Sequence, residues 1–355
     1  MFRTATAVAV GVATGAALLA GCGGGDGTGS AGAPTGSPAA PTGAQPTGDP
    51  GGNGTLVTVQ WSAQVVLEGH PIGADGTLGA ARQILSGPAD DRTFPAAIDG
   101  IGTTVLTGTF ADYWTSRLAL HEGERIVGEV DAPQWCGGEG LTYAQCVLLD
   151  GARIARTTEL GRDPVSGEGA AQGSILVSSL DDGATLVQHG PIPDLSAILG
   201  TASAEEIIVV TTPASEGGHL GPSTVLRMDL GDGSTTPVGT SPPGWGPLCP
   251  IGADSVLGFT TRDVPGGQAL ATVSTSAVVG PATAAEVQWE VGDAVGCSAD
   301  GRFLFLQDMP APATGEDDTE VLDPPTTVER VDLATGQRHS ALVLDPGVQV
   351  ALVTR

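Results

Sequence analysis

Short runs of alternating apolar and polar residues make up most of this chain. Near the C-terminus, residues 327–333 alternate along their length, residues 334–336 form a Gly-closed connection, and residues 337–344 give a second apolar run. Residues 224–233 repeat this sequence pattern, and residues 174–187 have a less regular version of it. Period-two alternation is typical of half-buried β-strands, and glycine ends many tight turns. The pattern therefore predicts a series of β-hairpins.

The hairpins recur along the chain. Their turn glycines are Gly76, Gly123, Gly183, Gly233 and Gly336, and a sixth hairpin over residues 268–280 is predicted to turn near Thr275. The spacing is roughly 50 residues, which is close to the length of one unit in several repeat architectures. A single hairpin cannot bury its own apolar face, so the repetition predicts an array of packed units.

A second hairpin precedes most of the first kind and turns at an acidic residue, at Asp99, Asp150, Asp254 and Asp300. Asp-Gly between short strands favours a tight turn. Two hairpins per repeat give four strands per unit, and no sustained helical period interrupts them. The sequence predicts an all-β fold, a single β-propeller over residues 55–355. Six four-stranded blades fit the hairpin count, and seven remain an alternative.

One segment resembles the blade turns of WD40-like and TolB-like propellers: Ser298-Ala299-Asp300-Gly301-Arg302-Phe303. No Trp-Asp dipeptide ends a strand, which departs from the WD40 pattern. A ring of blades avoids an open edge when strands from both ends of the chain complete one blade, and this closure is expected here. The last strand, residues 348–354, is expected to be innermost in the first blade. The first strands, residues 56–67, are expected to complete that blade and leave no open edge.

The N-terminal segment has the pattern of an export signal. Arg3 precedes an uncharged run over residues 5–20, which is short for a membrane span of ~20 residues. The run ends in Leu19-Ala20-Gly21-Cys22, which resembles the lipobox of bacterial lipoproteins. That family implies a signal peptide over residues 1–21 and acyl chains, such as palmitate, attached at Cys22. Residues 22–54, rich in Gly, Pro, Ser and Thr, are predicted to be a disordered linker. The expected location is the extracytoplasmic face of the cell membrane.

Charge narrows the set of partners. The chain has 14 basic and 40 acidic residues, a formal charge of −26, and no lysine. Nucleic-acid binding and docking on anionic lipid both require a basic surface, so neither is expected. Attachment to the membrane is expected through the N-terminal lipid instead. The excess of Ala, Gly, Pro and Arg indicates a GC-rich genome, consistent with an actinobacterial source.

Four cysteines remain after Cys22: Cys136, Cys146, Cys249 and Cys297. An even number in an exported domain predicts two disulfides, for which three pairings exist. The favoured pairing is Cys136–Cys146, within one Gly-rich loop, and Cys249–Cys297, between aligned inner strands of neighbouring blades. No Cys-x-x-Cys motif is present, so a metal site is not expected.

No catalytic motif emerges from the remaining residues, and no cofactor is expected. The histidines fall mostly in predicted turns or strand ends, which favours surface positions. Acidic residues cluster at predicted turns and in residues 315–320, where solvated loops are expected. Trp135 and Trp245 stand in Pro/Gly-rich connections before inner strands, and are candidate anchors for a partner, with packing between blades as the alternative.

These observations favour a lipid-anchored binding or scaffold module that holds a protein or an envelope polymer. The predicted inner strands are apolar, with Ala97, Ile98, Val147, Leu148, Ile251 and Val295, so the channel is expected to be a packed core. One alternative is a lactonase-like propeller hydrolase with a metal in its channel, but the single asparagine, Asn53, falls in the predicted linker. Another is an accessory protein of envelope assembly or sensing, a role that resembles that of TolB.

Overall fold

The computed structural model describes residues 52–88, 93–111, 114–132, 136, 145–158, 172–213, 222–240, 246–251, 255–263, 272–279, 285–286, 293–308 and 325–355. Regular structure in these segments is entirely β, which confirms the predicted fold class. Within them, no helix has both the length and the apolar character needed to span a membrane.

The described strands form six antiparallel sheets of four strands. Sheet 1 contains β24 (Val348–Val353), β1 (Thr55–Gln60), β2 (Gln64–Pro71) and β3 (Arg82–Pro88). Sheet 2 contains β4 (Thr93–Ile101), β5 (Thr104–Ala111), β6 (Trp114–Glu122) and β7 (Arg125–Asp131). Sheet 3 contains β8 (Cys146–Leu148), β9 (Arg153–Thr157), β10 (Gln172–Ser179) and β11 (Thr185–Pro193).

The other three sheets follow the same strand order. Sheet 4 contains β12 (Leu195–Ser203), β13 (Glu206–Thr211), β14 (Thr224–Asp229) and β15 (Thr235–Thr240). Sheet 5 contains β16 (Gly246–Pro250), β17 (Val256–Asp263), β18 (Thr272–Val279) and β19 (Ala285–Glu286). Sheet 6 contains β20 (Asp293–Cys297), β21 (Phe303–Asp308), β22 (Thr326–Asp332) and β23 (Arg338–Leu344).

The first-named strand of each sheet lies innermost. These inner strands contact one another in the cyclic order β24, β4, β8, β12, β16, β20 and back to β24. Since every sheet is a four-stranded meander that borders two others, the domain is a single β-propeller with four-stranded blades.

The hydrophobic core lies between the sheets. Between sheets 2 and 3, for example, Leu118 and Leu120 of β6 pack with Leu148 and Ile154, and all four are at most 1% exposed. Comparable clusters fill the spaces between the other consecutive sheets, including sheets 6 and 1. Burying one such side chain contributes about 1.5–3 kcal/mol relative to leaving it in water. This explains why second strands such as β13, which contact a neighbour on both faces, are apolar at four successive positions, 207–210, instead of alternating.

Sheet 1 is built from both ends of the described chain, as predicted. Leu56 of β1 lies opposite Val353 of β24. The N–H of Thr55 donates to the hydroxyl of Thr354 at 2.7 Å, and the N–H of Thr354 donates to the carbonyl of Thr55 at 2.8 Å. Gly54, at φ +98°, abuts the carbonyl oxygen of Thr354 so closely that a Cβ would collide with it. The closure therefore depends on a glycine at residue 54.

The turn glycines were correctly predicted. Gly76, Gly123, Gly183, Gly233 and Gly336 all have positive φ, between 59° and 76°, and each lies between the third and fourth strands of its sheet. A positive φ is costly for residues with a Cβ, which is why glycine marks these turns.

Three predictions about local structure were wrong. Thr275 is not in a turn but inside β18, where it lies opposite Thr260 of β17. Asp99 is not at a turn but within β4, and the turn to β5 follows at Gly102. Asn53 is not in a free linker: it is 4% exposed, and its Oδ1 accepts from the N–H of Asp300 at 3.0 Å. A polar residue in a Gly-rich context carries no sign of such a distant partner.

Both predicted disulfides are present. Cys136 and Cys146 have Cα atoms 5.4 Å apart, and Cys249 and Cys297 have Cα atoms 6.1 Å apart. The second bond joins β16 to β20, the inner strands of neighbouring sheets. The loop that carries Cys136 is also held by Thr115 of β6, whose hydroxyl donates to the carbonyl of Cys136 at 2.6 Å.

Candidate functional site

A cavity of about 280 Å³ lies in the central channel of the propeller. All six inner strands contribute to its wall. Most of the lining residues lie toward the C-terminal ends of these strands. Its described lining is Ile98, Asp99, Gln145, Cys146, Val147, Ile198, Leu199, Thr201, Ala202, Leu248, Cys249, Pro250, Val295, Gly296, Cys297, Ser298, Ala299, Leu352, Val353 and Arg355. The channel was predicted to be an apolar, packed core. The cavity wall also contains polar side chains, including those of Asp99, Gln145 and Arg355.

Asp99 and Arg355 form an ion pair in this wall. The Nη2 of Arg355 donates to the Oδ2 of Asp99 at 2.6 Å, and the two side chains are 18% and 15% exposed for Arg355 and Asp99 respectively. The same Oδ2 accepts from the backbone N–H of Leu148 at 2.6 Å. Asp99 thus bonds simultaneously to sheet 1, through Arg355, and to sheet 3, through Leu148.

The environment of Asp99 affects its ionisation. Burial raises the pKa of the Asp99 carboxyl, while the Arg355 guanidinium and the N–H groups of Leu148 and Gly100 act in the opposite direction. Desolvation disfavours the charged carboxylate, and the neighbouring cation and donors favour it. The pKa of this carboxyl, at the wall of a cavity, is thus raised by burial and lowered by its neighbouring donors.

The position of Arg355 is fixed by its backbone. Its N–H donates to the carbonyl of Gly100 at 3.1 Å, and its carbonyl accepts from the N–H of Gly102 at 2.5 Å. The guanidinium then passes over Gly200 of β12, where any Cβ would collide with Nη1. Its Nε is buried and has no hydrogen-bond partner among the described residues. One side chain therefore reaches from sheet 1 to sheets 2, 3 and 4.

Two other side chains bridge neighbouring sheets as Asp99 does. The Oε1 of Gln145, just before β8, accepts from the N–H of Ile198 in sheet 4 at 2.7 Å. The Oε1 of Gln307 in sheet 6 accepts from the N–H of Val350 in sheet 1 at 2.7 Å. An inner strand has no sheet partner on its channel side, so its N–H groups need acceptors from elsewhere. A side-chain oxygen of the preceding sheet supplies them.

The turns at the cavity end of the ring are acidic. Strands one and three of each antiparallel sheet end on the same side, so the turns that follow them share one face of the propeller. Acidic residues in or beside these turns are Asp75, Glu122, Glu124, Asp150, Asp181, Asp182, Glu205, Asp229, Asp232, Asp300 and Asp332. Arg153 offsets two of them, with ion pairs of 2.7 Å to Asp150 and 3.0 Å to Glu205.

Most of these aspartates have a structural role, as the sequence predicted. The Oδ1 of Asp150 accepts from the N–H groups of Ala152 and Arg153. The N–H of Ala184, which donates to Asp182, lowers the pKa of that carboxyl. Such bonds from a side chain to its own turn stabilise the turn. These carboxylates therefore accept hydrogen bonds from the backbone of their own turns.

The histidine prediction was wrong at two positions. His121 is 2% exposed, and its Nε2 lies 3.0 Å from the hydroxyl of Thr107. His70 is 8% exposed. Burial lowers the pKa of both imidazoles. They come at the ends of β6 and β2, which the sequence suggested would be open to solvent, but both side chains are buried there.

Several predicted site residues lie outside the described residues: Cys22, Trp135, Trp245 and Asp254. Of the six predicted channel residues, Ile98, Val147 and Val295 line the cavity. Cys146, Cys249 and Cys297 line it too, as their alignment with inner strands suggested. Arg355 and Gln145 were not predicted, since no short-range pattern distinguishes them. Within the described part of the chain, no group of three or more His, Cys, Asp or Glu side chains is arranged to hold a metal ion.

No family model and no curated protein matches this chain. Several solved structures are similar in fold. The acylaminoacyl peptidase of Pyrococcus horikoshii is 10% identical, with a TM-score of 0.38 over 81% of this chain, which spans 39% of the peptidase. An oligogalacturonate lyase in complex with manganese is 12% identical, with a TM-score of 0.41, covering 79% of this chain and 74% of the lyase. A putative TolB from Agrobacterium tumefaciens is 13% identical, with a TM-score of 0.37, covering 83% of this chain and 91% of that protein.

Proposed function

We propose that this protein is a lipid-anchored, extracytoplasmic β-propeller that acts as a binding or scaffold module of the cell envelope. The lipobox-like segment ending at Cys22 and the Gly- and Pro-rich residues after it support the anchor and the tether. The two disulfides support an oxidising compartment. The charge of −26 favours a protein or neutral polymer partner over nucleic acid.

The observation that carries the binding role is the engagement of Asp99. It is the one acidic side chain among the described residues of the cavity wall, and both Leu148 and Arg355 donate to its Oδ2. A general acid or base must be able to exchange a proton with substrate. A carboxylate whose bonds hold three sheets together is better suited to keeping the ring rigid.

We propose a ring of six blades, with each described sheet as one blade. The cyclic contacts of the inner strands and the core between sheets 6 and 1 support this number. A seventh blade would have to interrupt one of these contacts. A rigid closed ring is a suitable platform for partner binding, because its loops are held in fixed positions.

The partner surface is proposed at the end of the ring opposite the cavity. The strands that flank Trp135, β7 and β8, end and begin there, and so do β15 and β16, which flank Trp245. Tryptophan is enriched among residues that dominate binding energy at interfaces. Trp135 and Trp245 are therefore the proposed anchors for a protein or envelope polymer.

Capture of a partner tests this function. The full chain is expressed in an actinobacterial host, cross-linked in intact cells, solubilised and purified, and co-purifying molecules are identified. We expect the Trp135→Ala and Trp245→Ala variants to lose a partner that the wild-type chain retains, while Leu186→Ala, altered at an exposed apolar side chain where β11 begins at the cavity end, retains it. Equal recovery from all four proteins would contradict the proposal.

Membrane anchoring has its own test. Cys22→Ser removes the sulfur that would carry the lipid, so the variant should be unprocessed or released. If Cys22→Ser fractionates with membranes and is processed as the wild type is, the lipoprotein assignment is wrong.

A propeller hydrolase is the second candidate function. One observation favours it: burial raises the pKa of Asp99 at the wall of a cavity, a combination that recurs at catalytic sites. An accessory role in envelope assembly remains compatible with the binding function. Ester and lactone hydrolysis by the wild type and by Asp99→Asn separates the candidates, because turnover that disappears in the variant would identify an enzyme.

A further inference from the structure

The cavity wall keeps hydrogen-bond donors for which the described residues supply no acceptor. The Nη2 of Arg355 donates to Asp99 and, at 3.4 Å, to the carbonyl of Leu148, but its buried Nε has no partner. Gln145 uses its Oε1 to accept from Ile198, and its amide N–H groups donate to no acceptor within the described part of the chain. Unsatisfied buried donors are rare in native proteins and often indicate an unseen water or ligand.

We infer that this cavity binds a small, uncharged organic molecule with a carbonyl acceptor on an apolar body. The inference rests on the proposed binding role and assigns a ligand class to the channel. The carbonyl oxygen would accept from the amide N–H groups of Gln145 and from the exposed part of the Arg355 guanidinium, because Nε itself is buried. A planar guanidinium presents its donors as a fixed fork, so an oxygen acceptor beside it is well oriented.

The apolar part of the cavity wall indicates that the rest of the ligand, apart from its carbonyl group, is apolar. Ile98, Val295 and Leu352 line the cavity together with the Cys249–Cys297 disulfide. Small-molecule pockets usually combine a mostly apolar lining with a few polar groups that orient the ligand, and they have volumes of about 300–1,000 Å³. A cavity of about 280 Å³ lies at the lower limit and suits a molecule with a short apolar chain.

Charge explains why the ligand should be neutral. Asp99 already balances the Arg355 cation, so an anion would gain little net attraction. The acidic turns on the same face, including Asp182 and Asp232, would disfavour its approach. A cation would lack a free carboxylate in the described wall, since the bonds of Asp99 are taken.

Three probes with the same body and different heads test this inference. Hexanamide, hexanoate and hexylamine are titrated into the full chain in detergent, and binding is followed by saturation-transfer NMR. We expect hexanamide to bind about tenfold more tightly than either charged probe. Equal binding of all three, or no binding of hexanamide, would overturn the inference.

Two variants locate the binding. Ala202→Trp places a large side chain at an exposed position of the cavity wall and should abolish the hexanamide signal. Arg355→Lys keeps a cation beside Asp99 but removes the planar fork, so binding should weaken by about tenfold with little change in the unfolding midpoint. Unchanged hexanamide binding in both variants would show that the probe binds elsewhere.

Partner capture separates this inference from the proposed function. Ala202→Trp lies on the cavity side, whereas Trp135 and Trp245 belong to segments whose flanking strands end on the other side. If hexanamide fails to bind while the partner is still captured in a tryptophan-dependent manner, the ligand class alone is wrong. Loss of tryptophan dependence with intact hexanamide binding would instead refute the proposed partner surface.

Discussion

The guanidinium of Arg355 lies 2.6 Å from the carboxylate of Asp99, across a sequence separation of 256 residues. The pair links the segment that follows β24, the inner strand of sheet 1, to β4, the inner strand of sheet 2. Both side chains are more than four-fifths buried, so the interaction is only weakly screened by solvent. It therefore differs from the exposed ion pairs on the outer strands, and its loss should affect the whole ring.

Replacing Arg355 by Met should lower the free energy of unfolding by about 3 kcal/mol, because it leaves a buried carboxylate without its counter-charge. Urea denaturation followed by tryptophan fluorescence measures the change. The matched control is Arg117→Met, which breaks exposed pairs with Glu129 and Asp131 and should cost less than about 1 kcal/mol. The double variant Asp99→Asn/Arg355→Met should recover part of the loss, and equal effects of the two single Arg variants would refute the role of burial.

His121 should make the fold sensitive to mild acid. Burial lowers its pKa in the folded state, so below the usual value of 6.5 the unfolded chain binds a proton that the folded protein does not. The free energy of unfolding should thus be highest above about pH 6.5 and fall as the pH decreases toward the folded-state pKa. His121→Gln removes this contribution, and the loss of stability between about pH 7.5 and about pH 5 should become smaller.

The control for this pH effect is His339→Gln, at an exposed position of β23. It should keep the pH dependence of the wild type, because the buried imidazoles of His121 and His70 are unchanged. If both variants show the same pH profile as the wild type, protonation of His121 does not contribute to acid sensitivity.

The sequence predicted those features that depend on neighbouring residues in the chain. Gly183 and Gly233 were found because a tight turn between two strands requires positive φ, which glycine tolerates. Thr275 was misplaced because the short polar run Ser274-Thr275-Ser276, between apolar residues, is compatible with either a turn or a strand. Its place in β18 is decided by pairing with β17, which no local pattern reveals.

The candidate site was less accessible to sequence reasoning. Asp99 stands before Gly100, as a turn aspartate would, but its acceptor role depends on Leu148 and Arg355, which are distant in sequence. Gln145 occurs beside a loop and carries no motif. Hydrogen bonds between blades are set by the closure of the ring, so they become visible only in three dimensions.

The two disulfides should differ in their effect on stability. Cys249–Cys297 spans 48 residues, and Cys136–Cys146 spans 10. In the chain-entropy model a longer loop gives more stabilisation, about 4 kcal/mol for the first and about 3 kcal/mol for the second. Double Cys→Ala variants of each pair, compared by urea denaturation, should follow this order.

Thiol labelling checks the premise of that comparison. The denatured, unreduced chain should show no free thiol at any of the four propeller cysteines. Two or more labelled positions among them would show that the pairs are not formed in the native protein, whatever the stability of the variants.

Ring closure should depend on Gly54 through a specific collision. Gly54 has φ +98°, and an added Cβ would meet the carbonyl oxygen of Thr354, the residue that pairs with Thr55 across the closure. Gly54→Ala therefore combines an unfavourable backbone conformation with the displacement of β24. Gly123→Ala is the matched control, because Gly123 also has positive φ, +59°, but has nothing within 4 Å of the added Cβ. The backbone term alone should cost Gly123→Ala about 1 kcal/mol.

Displacing β24 removes more than one contact. It also disturbs the bond from Thr354 to Gly102 and the position of Arg355, so Gly54→Ala should cost about 3 kcal/mol or more. Limited proteolysis should then cut the displaced C-terminal strand in Gly54→Ala but leave it intact in Gly123→Ala, since exposed strand ends are preferred sites of cleavage. If both variants lose the same stability and resist the protease equally, the contact between Gly54 and Thr354 does not hold the ring closed. The link between the closure and the Asp99–Arg355 site would then have to come from the hydrogen bonds of Arg355 to Gly100 and Gly102 alone.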